Sequence, residues 1–220
     1  MLLSATPEAI KAYQEELEKN KIKPDKLPPC PRCLVKSTFF KEHAYRDRKF
    51  LVIVDFLVKT ILSALLRFKC PGCGKTFTYY PDFALPHKHY TRQTFTYFSR
   101  TYVQDPDKTY QKAIMVNNSA PGYPDDQQTL APSTIHRFIT TLSSLKTCSQ
   151  KALELILQEN PASDICRKLA AVTVPGKKYK AVARKNILVQ CLKFFLVEGV
   201  FRQAFKTSIF TKLAIRCTFT

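Results

Sequence analysis

The chain has 220 residues, with 35 Lys and Arg against 17 Asp and Glu, a formal charge of +18 and a pI near 9.6. That length fits one large domain or two small ones, and 45% hydrophobic residues suffice for a packed core. So large a basic surplus calls for a polyanionic partner, nucleic acid ahead of an anionic membrane surface.

In chain order, residues 6 to 21 read as a helix, with Thr6 as a cap, Pro7 in the first turn and an apolar stripe of Ile10, Tyr13 and Leu17. "KPDKLPP" ends it. After Cys33, "STFFKEHAY" has strand character and "RDRK" reads as a turn or loop. Phe50 to Phe68 reads as strands, because Val52, Ile53 and Val54 are β-branched. "KTFTYYP" is a further short strand. Helices follow at about Thr91–Val103, in "KTYQKAIMV", from Pro132 or Ser133 to about Leu145, in "SQKALELILQEN" as far as Pro161, and in "ASDICRKLAAV". "NNSAPGYPDDQQTLAP" is a loop by composition. "ARKNILVQCLKFFLVEGVFRQAF" reads as a basic amphipathic helix or helix pair. The last fifty residues carry ten cations against Glu198 alone.

The longest apolar run, "FLVIVDFLVKTILSALL", is broken by Asp55 and Lys59 and falls short of the roughly 20 residues of a spanning helix. The N-terminus has no basic start followed by an apolar core. These features predict a soluble, cytoplasmic protein without a membrane partner. Reducing surroundings then argue against a disulfide framework for the 8 cysteines.

Two Cys-x-x-Cys pairs, Cys30 with Cys33 and Cys70 with Cys73, supply four thiolates. That is the ligand set of a closed tetrahedral zinc site, with no open position for water. Pro31 and Pro71 suit the start of each turn, and Gly72 and Gly74 sit where the chain bends sharply and backbone approaches sulfur. Phe77 is placed to cover the metal from the next strand. The 36 residues between the pairs exceed the usual spacing and imply a long β-hairpin that brings the pairs together. A redox dithiol needs one pair at a helix start, and neither pair has that setting. Cys148, Cys166, Cys191 and Cys217 are single and read as buried small hydrophobes. His87 and His89 read as polar or phosphate-facing residues.

"LAPSTIHRFITTL" has the character of a DNA-reading helix. Ser133 and Thr134 at its N-terminus are placed to meet phosphate, and His136 and Arg137 to project from the first turn. Ile135, Phe138, Ile139 and Leu142 would anchor it. An ordinary amphipathic helix with a capping residue fits the same pattern. The loop before it is longer than a helix-turn-helix turn. Lys177, Lys178, Lys180, Arg184 and Lys185 are candidate phosphate contacts.

The order of these parts, a two-pair ribbon ending in "RFKCPGCGKTFT", an "LP" segment and then "STIHRFITTL", resembles the N-terminal DNA-binding region of prokaryotic insertion-sequence transposases and the small uncharacterised zinc-ribbon proteins related to them. The likeness covers about residues 28 to 145. It implies that Cys30, Cys33, Cys70 and Cys73 hold one structural zinc ion and that the helix near Ser133 reads DNA. It also implies a nucleoid-associated prokaryotic setting.

Such transposases continue into a catalytic domain with three metal-binding carboxylates. Here only 75 residues follow Leu145, with Glu154, Glu159, Asp164 and Glu198 as their acids. DNA binding without strand cleavage is therefore expected. The fold expected is α+β: an N-terminal zinc ribbon with an extended β-hairpin, then a mostly helical, helix-turn-helix-like domain. The boundaries expected are 1–27 for helix and linker, 28–86 for the ribbon, 87–170 for the helical region and 171–220 for the basic tail. The partner expected is double-stranded DNA, with a homodimer or transposase partner possible and no small-molecule substrate. Two alternatives stand beside this reading: a truncated or partner-completed transposase or nuclease subunit, and a protein- or RNA-binding adaptor.

Overall fold

The computed structural model describes residues 5–27, 29–30, 32–54, 57–86, 88–114, 130–174 and 181–213. The chain is mixed α+β, with one three-stranded antiparallel sheet and a set of helices, and it forms two compact units, one ending at Thr94 and one beginning at Phe95. No helix among the described residues is long and apolar enough to cross a membrane.

In the first unit, α1 (Ala5–Glu18) precedes a long hairpin, β1 (Lys41–Val54) and β2 (Leu57–Lys69), which is followed by β3 (Thr76–Thr78). Thr6 lies inside α1 rather than capping it. The strands pair in the order β1-β2-β3, from Lys41 opposite Lys69 to Val54 opposite Leu57. A bulge between Glu42 and Ala44 interrupts the register. "RDRK" is not a turn, as its pattern implied, but the middle of β1. "STFFKEHAY" yields strand only from Lys41, after a 3-10 turn at Ser37–Phe39. The polar stretch is extended because apolar partners face it: Arg46 pairs with Leu65 and Lys49 with Leu62.

Other elements meet the outer edges of β1 and β2 at single positions, which matters because an open edge invites pairing with another chain. On β2, the Leu66 amide donates to the Tyr13 hydroxyl at 3.3 Å, and Gln14 Nε2 donates to the Leu62 carbonyl at 3.1 Å. On β1, the Leu51 amide donates to the His89 carbonyl at 2.8 Å, and the Leu51 carbonyl accepts from the Thr91 amide and the Thr94 hydroxyl. The core between these elements holds Ile10, Tyr13, Phe50, Val52, Leu65 and Phe83. Phe83 meets Tyr13 and Phe50 edge-on.

The division between the units falls within α2 (Arg92–Gln104). The second unit continues with α3 (Tyr110–Ile114), α4 (Pro132–Ser144), α5 (Lys146–Glu159), α6 (Ile165–Ala170), α7 (Val182–Phe205) and α8 (Ile209–Lys212). The loop expected at 117–132 falls almost wholly outside the described residues. Helices α4 and α5 both pack on the long α7, and α3 packs on α4. Ile135, Phe138, Ile139, Leu142, Leu188, Phe194 and Phe201 are buried there. Glu198 is buried on α7. It accepts hydrogen bonds from the Ser208 hydroxyl at 2.6 Å and the Ile209 amide at 2.8 Å, so its carboxylate caps α8.

Candidate metal centre

The hairpin carries its two ends, and the cysteine pairs with them, to one place. The sulfurs of Cys30, Cys33, Cys70 and Cys73 all lie within 4.8 Å of one another. Cys30 Sγ is 3.4 Å from Cys73 Sγ, and Cys33 Sγ is 3.4 Å from Cys70 Sγ, so each close pair joins one knuckle to the other. A tetrahedral Zn–S distance of about 2.3 Å places its sulfurs about 3.8 Å apart, which this group fits. All four are free thiols. Cys30 and Cys70 are buried, Cys73 is half-buried and Cys33 is exposed.

The knuckles are built alike. The Cys30 amide donates to the Val35 carbonyl at 2.9 Å, and the Cys70 amide to the Lys75 carbonyl at 2.8 Å. The Leu34 amide donates to the Cys30 carbonyl at 2.9 Å, and the Gly74 amide to the Cys70 carbonyl at 3.0 Å. The residue after the second cysteine is left-handed in both, at φ 60° for Leu34 and 71° for Gly74. Gly74 is the residue that conformation favours, and Leu34 is not. Gly72 is closely approached: a Cβ there would lie 3.1 Å from Val35 Cγ2 and 3.3 Å from Cys33 Sγ, so a side chain would push these atoms back by a few tenths of an ångström. Phe77 stacks on Phe40 with ring centres 4.9 Å apart, and it packs half-buried against the cluster that includes Phe40, Cys30 and Cys70.

Burial works against ionising Cys30, but hydrogen bonds from the Arg32 and Cys33 amides and from the neighbouring thiols hold it down to about 6. The Val35 amide favours the Cys33 thiolate, yet the desolvation that remains at this exposed cysteine and the hydrogen bonds with the three other sulfurs push it up to about 12. Cys30 ionises at the expense of Cys33, as like charges this close require, and a divalent cation among the four sulfurs would offset that repulsion. Four soft thiolates in tetrahedral array suit a zinc or iron ion.

The other expected site residues lie elsewhere. Ser133, His136 and Arg137 are exposed on α4, and His136 meets the Tyr110 ring edge-on at 6.2 Å. Thr134 is 4% exposed, so it packs inward with Ile135 and Phe138 and does not face a phosphate. Arg184 is exposed and Lys185 half-buried in the first turn of α7, while Lys177, Lys178 and Lys180 lie outside the described residues. His87 and Cys217 also lie outside them. His89 is exposed, with its carbonyl committed to β1.

Cys191 is buried and donates to the Ile139 carbonyl, and burial pushes its thiol up to about 12. Cys166 is exposed, against the expectation of burial. Cys148 is buried, as expected, and is disulfide-bonded, where reducing surroundings argued against a disulfide framework. Two of the four acids that follow Leu145 are committed structurally. Glu198 caps α8, and Asp164 pairs with Lys168 at 3.0 Å and Arg167 at 3.3 Å.

Sequence reasoning did not find the sorting of charge by sheet face, which depends on the register of β1 against β2. Comparison of the chain with protein-family models, with curated proteins and with solved structures returns no match in any of the three.

Proposed function

We propose that the chain is a zinc-ribbon DNA-binding protein of the kind found at the N-terminus of insertion-sequence transposases, with a helix-turn-helix-like second unit and no catalytic domain of its own. One zinc ion on Cys30, Cys33, Cys70 and Cys73 fixes the ribbon. Its role is structural, since four protein thiolates complete the coordination shell.

The observation that carries the DNA reading is α4. Ser133, His136 and Arg137 are exposed together on its first turns, Ile135, Phe138, Ile139 and Leu142 are buried beneath them, and the helix contains no acidic residue. A helix anchored on one face and polar, basic and acid-free on the other suits a nucleic-acid groove. The formal charge of +18 supplies the long-range attraction.

Native mass spectrometry joined to selection from a genomic DNA library tests the reading. One zinc per chain, absent in Cys70→Ser, and an enriched motif whose binding Arg137→Ala weakens by about 1–3 kcal/mol are expected. Zinc-free wild-type protein would overturn the metal assignment. A selection without enrichment, together with no mobility shift on any duplex, would overturn the DNA assignment.

A further inference from the structure

Along β2, residues 63, 65, 67 and 69 alternate with their neighbours and so share one sheet face. Their partners on β1 share that face: Ser63 is opposite Arg48, Leu65 opposite Arg46, Arg67 opposite Ala44 and Lys69 opposite Lys41. This half of the hairpin, next to the cysteine cluster, therefore places Lys41, Arg46, Arg48, Arg67 and Lys69 on a single face. The strand acids fall on the other face, with Lys49 as the one β1 cation beside them, because Glu42 is opposite Phe68, Asp47 opposite Ala64 and Lys49 opposite Leu62. The bulge keeps this sorting, since it moves the partner of Arg67 from His43 to Ala44.

Two of the five cations are fixed in place. Arg48 donates through Nη2 to the Lys88 carbonyl and lies 5.8 Å from the Phe50 ring centre and 5.7 Å from that of Tyr80. Arg67 donates through Nη2 to the Thr76 hydroxyl at 2.6 Å. In each guanidinium Nε is buried without a hydrogen-bond partner among the described residues. Lys41, Arg46 and Lys69 are exposed. None of the five has a described carboxylate within ion-pairing distance. Lys41 directly opposite Lys69 is a like-charge pair that destabilises the sheet by itself. The metal cluster closes the strands immediately beyond that pair, at Cys70.

We infer that this cationic face is a second DNA-contacting surface, separate from α4, which grips the phosphate backbone of a duplex without reading bases. Leu65 and Ser63 on the same face are buried, so the phosphates meet the exposed Lys41, Arg46 and Lys69, which span about 17 Å. A duplex is the occupant rather than a single strand, because single-strand binding needs free aromatic faces for stacking. On this face Phe50 is fully buried and Tyr80 lies beside Arg48, whereas the exposed Tyr45 belongs to the opposite face. This inference rests on the reading of the chain as a DNA-binding protein.

The test uses the full-length, zinc-loaded chain and a labelled 30-base-pair duplex of arbitrary sequence, with affinity measured across a salt series. Replacing Lys41, Arg46 and Lys69 together by Gln removes three phosphate contacts and lowers the slope of log affinity against log salt by about 2 to 3, since each contact contributes about 0.9. Replacing Glu42 and Asp47 by their amides leaves the slope unchanged. If the triple variant fails to retain one zinc, the single variant Arg46→Gln, away from the cluster, reads the same effect as a loss of about one slope unit.

An unchanged slope in a zinc-retaining variant overturns the inference. The α4 reading then survives if Arg137→Ala still weakens the same duplex. Absence of duplex binding by wild-type protein at low salt overturns both. Tighter binding to a 30-nucleotide single strand, lost in the same variants, overturns the choice of a duplex.

Discussion

Leu34 and Gly74 hold equivalent places in the two knuckles, each left-handed and each donating its amide to the carbonyl of the first cysteine. For a residue with a Cβ that conformation costs about 1–2 kcal/mol. Leu34 is 77% exposed, so its side chain gives little packing in return. Glycine there relieves the strain but adds about 0.5–1 kcal/mol of chain entropy in the unfolded state. Leu34→Gly is therefore expected to raise stability by up to about 1 kcal/mol, and Gly74→Leu to lower it by about 1–2 kcal/mol. Thermal melts of the zinc-loaded proteins check both, and a destabilised Leu34→Gly would show that the leucine contributes more than its exposure indicates. The four-cysteine group is legible in the sequence because residue type and two-residue spacing carry the coordination chemistry locally. Leu34 is not, because the usual marker of a left-handed position is Gly or Asn. Thr134, expected to face phosphate, lies four residues before Phe138 and eight before Leu142, on the inward stripe of α4, and helical phase rather than its place at the N-terminus decides its burial.

At the scale of elements, the strands and the long hairpin between the cysteine pairs follow from β-branched content and from the geometry a shared metal demands. "RDRK" misleads because charged residues mark both turns and solvent-facing strand positions, and only the partner strand distinguishes them. What meets the edges is also invisible locally, since Tyr13 reaches β2 across 53 residues. Tyr13 is 5% exposed, and burial first, with the nearby Tyr79 and Tyr45, pushes its hydroxyl up to about 12, against the pull of the Leu66 amide. Tyr13→Phe leaves that amide without an acceptor and is expected to cost about 1–3 kcal/mol at neutral pH. A folded-state value raised above the ordinary 10 gives stability that is fully present below pH 10 and lost as pH rises through about 12. The gap between wild type and Tyr13→Phe should therefore narrow across that window. Denaturant titrations at pH 8, 10 and 12 check this, and a gap that stays constant removes Tyr13 as its source.

For the molecule as a whole, the two compact units are held by different means. The helical unit has an apolar core of its own, with Ile135, Phe138, Leu142, Leu188, Phe194 and Phe201. In the sheet unit the sulfurs of Cys30, Cys33, Cys70 and Cys73 come together across the hairpin, and the zinc ion proposed for them would add a clamp to the core; binding of structural zinc is worth about 10–16 kcal/mol in small domains. That is as large as the total stability of a typical domain, about 5–15 kcal/mol. Removing the metal should thus release the cluster end first, where four thiols lose their cation and Lys41 faces Lys69. Hydrogen exchange with and without a zinc chelator measures it. Amides of residues 32–49 and 63–78 are expected to lose protection, while those of α4, α5 and α7 keep theirs. Equal loss in both units would show that the clamp supports the whole chain, and no loss in either would show that the apolar core around Phe50, Leu65 and Phe83 holds the ribbon without it. The same chelated protein links stability to binding. A backbone grip built on the clamped face should weaken with the sheet, whereas contacts made by Ser133, His136 and Arg137 on the surviving α4 should remain.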